Sequence, residues 1–150
     1  MKKTIDIICP LYNAEKFIDK LHISFFKQKL VKINEIKYIL TESKDNTEKY
    51  LKEKGIKYEK ISKKDFSHSL VREQAAMSST ADILVFVTQD IVIEDDKWLY
   101  NLTKDIVANK CEASFSRQIS KYNNLEKYTR EKNYPEKSYT VSKEDLKTMG

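Results

Sequence analysis

The apolar residues of this chain recur with two periods, one typical of strands and one typical of helices. Alternation from Ile5 to Cys9 predicts a first strand, which should end at Pro10 because proline cannot donate to a ladder. From Ala14 to Gln28 apolar residues follow at steps of three and four, which predicts a helix capped by Asn13. The core is expected to include the aromatic residues Phe17, Phe25, Phe26 and Trp98.

The same alternation of strand and helix continues along the chain. Further strands are predicted at Ile36–Leu40, Ile56–Ile61, Ile83–Val87 and Ala113–Ser116. Further helices are predicted at Thr47–Lys54, with Gly55 as its stop, at Ser69–Ser79, and at Trp98–Val107 after the acids Asp95 and Asp96. The apolar run Ile83–Val87 is typical of a strand in the middle of a sheet covered on both faces. Such alternation implies parallel pairing through right-handed crossovers, and hence a three-layer α/β/α sandwich with a mostly parallel sheet.

The chain changes character after Arg117. Irregular or weakly helical structure is expected around Tyr122, Asn123, Asn124, Tyr128, Asn133, Tyr134 and Pro135. Ser142–Asp145 has the pattern of a capping box, and the helix it opens would run to Met149 and Gly150. We expect one domain over residues 1–150, in a sequence that stops short of a natural domain end.

Composition narrows the class of partner. Lys and Arg number 28 against 23 Asp and Glu, for a net charge of +5, but the charges are mixed along the chain. Without a basic and aromatic stripe, an RNA-binding domain or another nucleic-acid platform is not favoured. The basic excess would help to hold a diphosphate, or would support peripheral association with the anionic inner face of a membrane. Cys9 and Cys111 have no metal-binding spacing, so we expect reduced thiols and a cytoplasmic location. No stretch approaches the roughly 18 apolar residues that a membrane span requires, so no span is expected.

Polar residues follow each predicted strand, where an open parallel sheet binds its ligands. They are expected to converge on one crevice. These sets are Pro10, Leu11, Tyr12 and Asn13; Thr41, Glu42 and Ser43; Asp65 to His68; and Thr88, Gln89 and Asp90. No glycine-rich phosphate motif follows the first strand, so a dinucleotide fold and a P-loop are both disfavoured.

Several of these residues are candidates for a functional role, and each also has a purely structural explanation. Asp90 ends the most apolar strand and would hold Mg²⁺ or Mn²⁺ against a diphosphate, or else cap the next segment. His68 and Arg72 share a helix face at the crevice, where Arg72 would bind phosphate or base, or remain a solvated surface arginine. Tyr12 would stack on a base or simply pack. No Ser-His-Asp, Cys-His or paired-carboxylate arrangement is legible.

Taken together, these segments resemble family 2 glycosyltransferases. IDIICPLYN at Ile5–Asn13 is similar to the opening strand of that family, and SKDNT at Ser43–Thr47 to its second-strand motif. DFSHSLVREQAA at Asp65–Ala76, ILVFVTQD at Ile83–Asp90 and the later SRQ and NYPEKS segments resemble its rhamnosyltransferase-like branch. The resemblance runs along essentially the whole chain.

The resemblance implies a GT-A fold, a UDP- or dTDP-linked sugar donor, a Mg²⁺ or Mn²⁺ cofactor and a glycan or glycolipid acceptor. The Asp-x-Asp motif corresponds here to Thr88-Gln89-Asp90, of which Asp90 would meet the metal. Pro10 and Tyr12 would border the base, and Arg72 would lie near base or diphosphate. The acid common at the end of the second strand is replaced by Leu40-Thr41, with Thr41 and Glu42 as substitutes.

The family's catalytic base lies beyond the matched stretch, so it is expected past Gly150. We therefore expect this chain to bind donor weakly, if at all, and to transfer no sugar by itself. A competing hypothesis is a non-catalytic nucleotide-binding or assembly module of the same α/β fold.

Overall fold

A computed structural model describes residues 2–120, 125–134 and 136–148. The expectations made for Tyr122, Asn123, Asn124, Pro135, Met149 and Gly150 fall outside these residues. The chain divides into two compact units, Met1–Thr103 and Lys104–Gly150. No described helix is both long and apolar enough to cross a membrane.

The first unit is built on a parallel sheet with the strand order β3-β2-β1-β4. Its strands are β1 (Thr4–Leu11), β2 (Lys32–Thr41), β3 (Tyr58–Ile61) and β4 (Ile83–Phe86). The helices of the chain are α1 (Ile18–Phe26), α2 (Thr47–Glu53), α3 (His68–Met77), α4 (Trp98–Val107), α5 (Leu125–Asn133) and α6 (Lys143–Thr148). The predicted α/β class and parallel pairing are confirmed.

Helices cover both faces of this sheet. On one face, Ile8 and Ile39 pack with Val71 and Ala75 of α3. Because side chains alternate along a strand, Tyr38 points to the other face, where its hydroxyl lies 2.9 Å from His22 Nδ1 of α1. Residues 5–9 of β1 are all buried, as expected for a central parallel strand. The three-layer arrangement is therefore confirmed.

The first strand continues past Pro10, so the predicted end at the proline is wrong. Within a parallel strand, residues of the same parity direct their backbone groups to the same neighbour. Ile8 accepts a bond from Val87 on the β4 side, so Pro10 also faces that side. The ladder with β4 has already ended there, at the pair Ile8 and Phe86. The missing N–H of Pro10 consequently costs no ladder bond.

The apolar strand Ile83–Phe86 is not central among the described strands. It lies at one end of the order, and Phe86 is 49% exposed. The predictions of the second and third strands hold in position but differ in length. The second strand begins at Lys32 rather than Ile36, and the third begins at Tyr58 rather than Ile56. The second strand is longer than predicted because residues from Lys32 onward pair with β1. The sequence of this part mixes polar and apolar residues and does not predict a strand.

The first helix is shorter than predicted, and Asn13 does not cap it. It begins at Ile18 after a turn in which Phe17 and Ile18 donate to the Ala14 carbonyl. Starting there puts Ile18, Leu21 and Phe25 on the buried face. Phe25 is thus core, as expected, whereas Phe26 is 72% exposed and Phe17 is also exposed, so those two assignments are wrong.

The second unit bears out one prediction and contradicts another. Ser142 and Asp145 exchange bonds as a capping box at the start of α6: Asp145 N–H donates to Ser142 Oγ (3.2 Å) and Ser142 N–H to Asp145 Oδ2 (2.8 Å). The predicted strand at Ala113–Ser116 does not form, since no described strand pairs with it and Phe115 is exposed. Tyr128 and Asn133 belong to a regular helix, α5.

Candidate functional site

The segments after β1 and β4 are joined by a two-bond amide contact. Tyr12 N–H donates to Gln89 Oε1 at 2.8 Å, and Gln89 Nε2 donates to the Tyr12 carbonyl at 2.9 Å. The two residues are 77 positions apart in sequence. Gln89 therefore fixes the backbone that carries Tyr12, whose side chain remains 44% exposed. An exposed, backbone-anchored aromatic ring offers a flat surface for stacking.

The segments after β1 and β2 are joined through Asn13. This residue has a φ of 47°, in the left-handed region that asparagine tolerates better than most residues. Its N–H donates to Ser43 Oγ (2.9 Å), and its Oδ1 accepts from the Lys44 N–H (3.1 Å). Ser43 Oγ in turn donates to the Thr41 carbonyl (2.9 Å). Asn13 thus acts as a strand-end clamp rather than as a helix cap.

Asp45 and Thr47 secure the same two segments more deeply. Thr47 Oγ1 accepts from the buried Ala14 N–H (2.8 Å) and donates to Asp45 Oδ1 (2.7 Å). Asp45 Oδ2 accepts from the Glu15 N–H at 2.9 Å. Burial would raise the pKa of Asp45, but the bonds from Thr47 and Glu15 outweigh it, and the pKa is lowered. This carboxylate is therefore committed to holding the loop.

Lys63 brings the segment after β3 to the same place. Its ammonium Nζ lies over the Tyr12 ring, 5.1 Å from the ring centroid. A hydrogen bond from Lys63, followed by its charge, lowers the pKa of the Tyr12 phenol. The strand ends β1, β2, β3 and β4 are thus all linked to the residues Tyr12 and Asn13.

Arg72 and Asp90 do not take part in the described hydrogen bonds of this group. Arg72 Nη1 donates to the His68 carbonyl at 2.9 Å, which holds the guanidinium along the first turn of α3. The ring of His68 meets Phe66 edge to face. Burial raises the pKa of the Cys9 thiol to about 12, with smaller opposing effects of the Arg72 and Asp90 charges. Both charges therefore reach the carboxyl end of β1.

A shallow depression in the surface includes only part of the predicted set. It is lined by Asn13, Glu15, Lys16, Phe17, Lys44 and Asp45. Tyr12, Gln89, Arg72 and Asp90 stand outside its lining. The structure therefore brings Tyr12, Asn13 and Gln89 together, and no described contact joins His68, Arg72 or Asp90 to that cluster.

The remaining predicted residues lie at or just after the ends of β1, β2 and β4. Pro10 and Leu11 form the end of β1, and Leu11 is buried. Thr41 ends β2 and is 4% exposed, and within the described residues its Oγ1 is a buried side-chain oxygen without a hydrogen-bond partner. Thr88, next to Gln89, is exposed. A buried hydroxyl without a partner is costly, which marks Thr41 as an unusual feature of this strand end.

Asp90 can bind a divalent cation only if a ligand such as a diphosphate supplies further oxygen atoms to the cation. Its carboxylate is exposed, and no described residue forms an ion pair or hydrogen bond with it. The described residues contain no group of three or more His, Cys, Asp and Glu side chains placed around a metal. Mg²⁺ typically takes one or two carboxylates and completes its shell with phosphate and water. A single free carboxylate is compatible with a cation that arrives with a diphosphate.

Sequence reasoning missed the residues that hold the site together. Gln89 was included as a site residue, but its pairing with Tyr12 was not foreseen. Asp45 and Thr47 belong to the SKDNT motif that carries the resemblance, but the sequence assigns them no role, and it does not single out Lys63 or Glu15. The one available signal was the polar run after the second strand, because side chains that cap and clamp loops are drawn from Asp, Asn, Ser and Thr.

Comparison with known proteins supplies the family context. The sequence model of Glycosyl transferase family 2 matches residues 6–149. The O-antigen chain rhamnosyltransferase RfbN of Salmonella typhimurium is 31% identical, in an alignment that covers 97% of this chain and 48% of that protein. The chain therefore spans about half the length of this curated relative.

Solved structures share the fold. Glucosyl-3-phosphoglycerate synthase from Mycobacterium tuberculosis, in complex with Mn²⁺, UDP-glucose and phosphoglyceric acid, superposes with a TM-score of 0.58 at 17% identity. That match covers 72% of this chain and 41% of the synthase. S. aureus TarS gives a TM-score of 0.55 at 23% identity, over 71% of this chain and 19% of TarS.

Proposed function

Since the chain belongs to glycosyl transferase family 2, we propose that it is the donor-binding part of an inverting glycosyltransferase. The donor is a UDP- or dTDP-linked sugar, and the acceptor is a cell-surface polysaccharide or glycolipid. Rhamnose is the proposed sugar, because the relative that aligns along 97% of the chain is a rhamnosyltransferase. The observation that carries the proposal is the joining of all four strand ends to Tyr12 and Asn13.

In this proposal the chain's own residues bind and orient the donor. Tyr12 stacks on the nucleobase, held in place by the two bonds to Gln89. Arg72, one turn into α3, supplies a fork of donors for the diphosphate. His68 lies one turn away and lines the same approach. Positioning of this kind raises the rate of transfer by holding the reacting atoms in line.

The metal proposed at this site is Mg²⁺ or Mn²⁺, with Asp90 as its protein ligand. When bound, the cation neutralises charge on the departing diphosphate. The cation-bound structures of the synthase support this choice only as an analogy of fold. The carboxylate that accepts the proton of the acceptor hydroxyl is proposed to come from residues past Gly150.

We also propose a cytoplasmic location, with peripheral contact to the inner membrane face. Cys9 and Cys111 are free thiols, which suits a reducing compartment. The net charge of +5 favours approach to anionic lipid.

Protein NMR titration with UDP tests the donor site, because it detects binding in the millimolar range. We expect UDP to shift the Tyr12 and Gln89 amides, and Mg²⁺ to tighten UDP binding by about tenfold. In Asp90→Asn the Mg²⁺ effect should vanish, while the control Asp105→Asn, on α4, should keep it. A Mg²⁺ effect that survives in Asp90→Asn contradicts the assignment of the metal ligand. No shift with either UDP or dTDP contradicts the donor site itself.

A further inference from the structure

Lys63, whose ammonium lies over the Tyr12 ring, has no assigned contact with the donor in the proposed function. We propose that Lys63 is a specificity-determining residue: its ammonium donates a hydrogen bond to a carbonyl oxygen of the base that stacks on Tyr12. The site then prefers uracil or thymine, which carry keto groups, to adenine, which carries none. This inference rests on the proposed function and names the feature of the donor that the site reads.

The backbone of Lys63 is held in place beside Tyr12. After β3 ends at Ile61, the Glu42 N–H donates to the Ile61 carbonyl at 3.0 Å. The Lys63 N–H in turn donates to Glu42 Oε2 at 3.4 Å. Glu42 follows β2 directly, so the loop that carries Lys63 is tied to the neighbouring strand end. The base of the lysine side chain is therefore anchored, while its four-carbon stem leaves the ammonium room to move.

The ammonium of Lys63 remains available to a ligand. It forms no ion pair with a described carboxylate, and the one nearby, Glu42, is engaged by the backbone of Lys63. Its described partner is the half-exposed Tyr12 side chain: the ammonium lies over the ring, and a hydrogen bond from it lowers the pKa of the phenol. Cation–π contacts at exposed sites are weak, so a stacking base displaces the ammonium easily to its own edge. There the ammonium has three donors to offer and no acceptor.

That donor-only character decides which base fits. Uracil and thymine present two carbonyl oxygens, each of which accepts from an ammonium. Adenine presents an amino group at the corresponding edge, which is itself a donor and leaves the cation unpaired. The second strand ends in Leu40-Thr41, which offers no carboxylate to accept a base N–H, and the next carboxylate, Glu42, accepts from the Lys63 N–H. Recognition by a donor, Lys63, is consistent with the lack of this acceptor.

The principal competitor is a role for Lys63 as a general phosphate-binding charge. The charge of Lys44 also lowers the pKa of the Tyr12 phenol, so a second ammonium acts at this position. A phosphate contact would act equally on every nucleoside diphosphate. A base contact acts only on those with a suitable carbonyl, so the two roles predict different results with UDP and ADP.

The test is an NMR titration of the 150-residue chain with UDP and with ADP in the presence of Mg²⁺. Wild type should bind UDP about tenfold more tightly than ADP. Lys63→Met should lose about tenfold in UDP affinity and change ADP affinity by less than about twofold. Lys63→Arg retains a donor and should keep most of the preference. Lys64→Met removes the same charge from the adjacent exposed residue and should behave as wild type.

Four results overturn the inference. Equal losses of UDP and ADP affinity in Lys63→Met would mean that Lys63 binds phosphate. Equal losses of UDP affinity in Lys63→Met and Lys64→Met would mean that Lys63 acts only through its positive charge. Unchanged UDP affinity in Lys63→Met, with wild-type binding intact, overturns the inference alone. Wild type that binds neither UDP nor ADP overturns the proposed function as well. Thermal unfolding midpoints within about 2 °C of wild type establish that each variant is folded.

Discussion

Single residues set the geometry of this site through what they can donate and accept. The amide of Gln89 suits its place because one end donates to a backbone carbonyl and the other accepts from a backbone N–H. A carboxylate of the same size can do only the second. The position that the family resemblance assigned to a metal-binding motif thus holds a structural clamp next to Asp90.

Gln89→Glu tests this clamp. The glutamate carboxylate cannot donate a hydrogen bond to the Tyr12 carbonyl, so that bond is lost and the two oxygen atoms repel each other. We expect UDP affinity to fall about threefold to tenfold, and the free energy of unfolding to fall by about 1 kcal/mol, since the contact is exposed. Urea unfolding and NMR titration measure the two quantities. Gln74→Glu, on the exposed part of α3, adds the same charge and should leave both unchanged; similar losses in both variants would rule out a specific clamp.

At the scale of elements, the loop after β1 depends on one buried hydroxyl of α2. Thr47 is fully buried and links Ala14 and Asp45 across 33 and 2 positions of sequence, respectively. In Thr47→Val the shape is kept but the buried Ala14 N–H loses its acceptor. We expect a loss of about 1–3 kcal/mol in the free energy of unfolding, measured by urea denaturation.

Thr47→Ser is the matched control, because it keeps the hydroxyl and removes only a methyl group. It should cost less than Thr47→Val if the hydroxyl matters more than packing. The opposite ranking would mean that the methyl, not the hydrogen bond, secures the loop. UDP binding should weaken with Thr47→Val as well, since Asn13 lies on the same loop.

Helix α2 and strand β3 are linked by a charge cluster around Glu48. Its carboxylate accepts from Lys60 (2.7 Å) and Tyr58 (3.0 Å) and pairs with Lys52 (3.1 Å). The hydrogen bond from Lys60, then those from Lys52 and Tyr58, lower the pKa of Glu48 to about 2. A carboxyl whose pKa is lower in the folded state stabilises that state above its unfolded pKa. This stability is lost as the pH falls through the folded pKa.

The urea midpoint of the wild type should therefore exceed that of Glu48→Gln at pH 6. The gap between the two should shrink between about pH 4.5 and pH 2. Glu53→Gln, which removes a long and exposed pair with Lys49, should show a much smaller gap at every pH. A gap that stays constant down to pH 2.5 would contradict the low pKa of Glu48.

At the scale of the whole molecule, donor binding and sugar transfer are separate properties. The chain spans 48% of the rhamnosyltransferase to which it aligns, and the catalytic base is proposed to lie outside the matched residues. We predict that the 150-residue chain transfers no sugar from a UDP- or dTDP-linked donor to a glycan or glycolipid acceptor. Product release measured by mass spectrometry checks this, on protein shown to bind UDP. Turnover above background would contradict the prediction.

The same scale explains which parts of the fold could be predicted from the sequence. Elements with a strong period were found: α2, α4 and the capping box of α6 lie where the pattern indicated. Errors arose where a partner decides the outcome. The segment Ala113–Ser116 has a strand-like composition but no described partner, and Phe26 fits the helical period yet lies outside the core.

The sequence by itself determined the α/β class, the parallel sheet and the family, because hydrophobic periods and ordered motifs are local properties of the chain. It also indicated that ligand chemistry lies after the strands. Tertiary structure alone decided that Gln89 clamps Tyr12, that Lys63 lies over the same ring and that Asp45 is committed to a loop. These contacts join residues 30 to 77 positions apart, or strands that are not consecutive in sequence. No local pattern encodes such pairings, since they depend on the strand order and on the direction of each strand end.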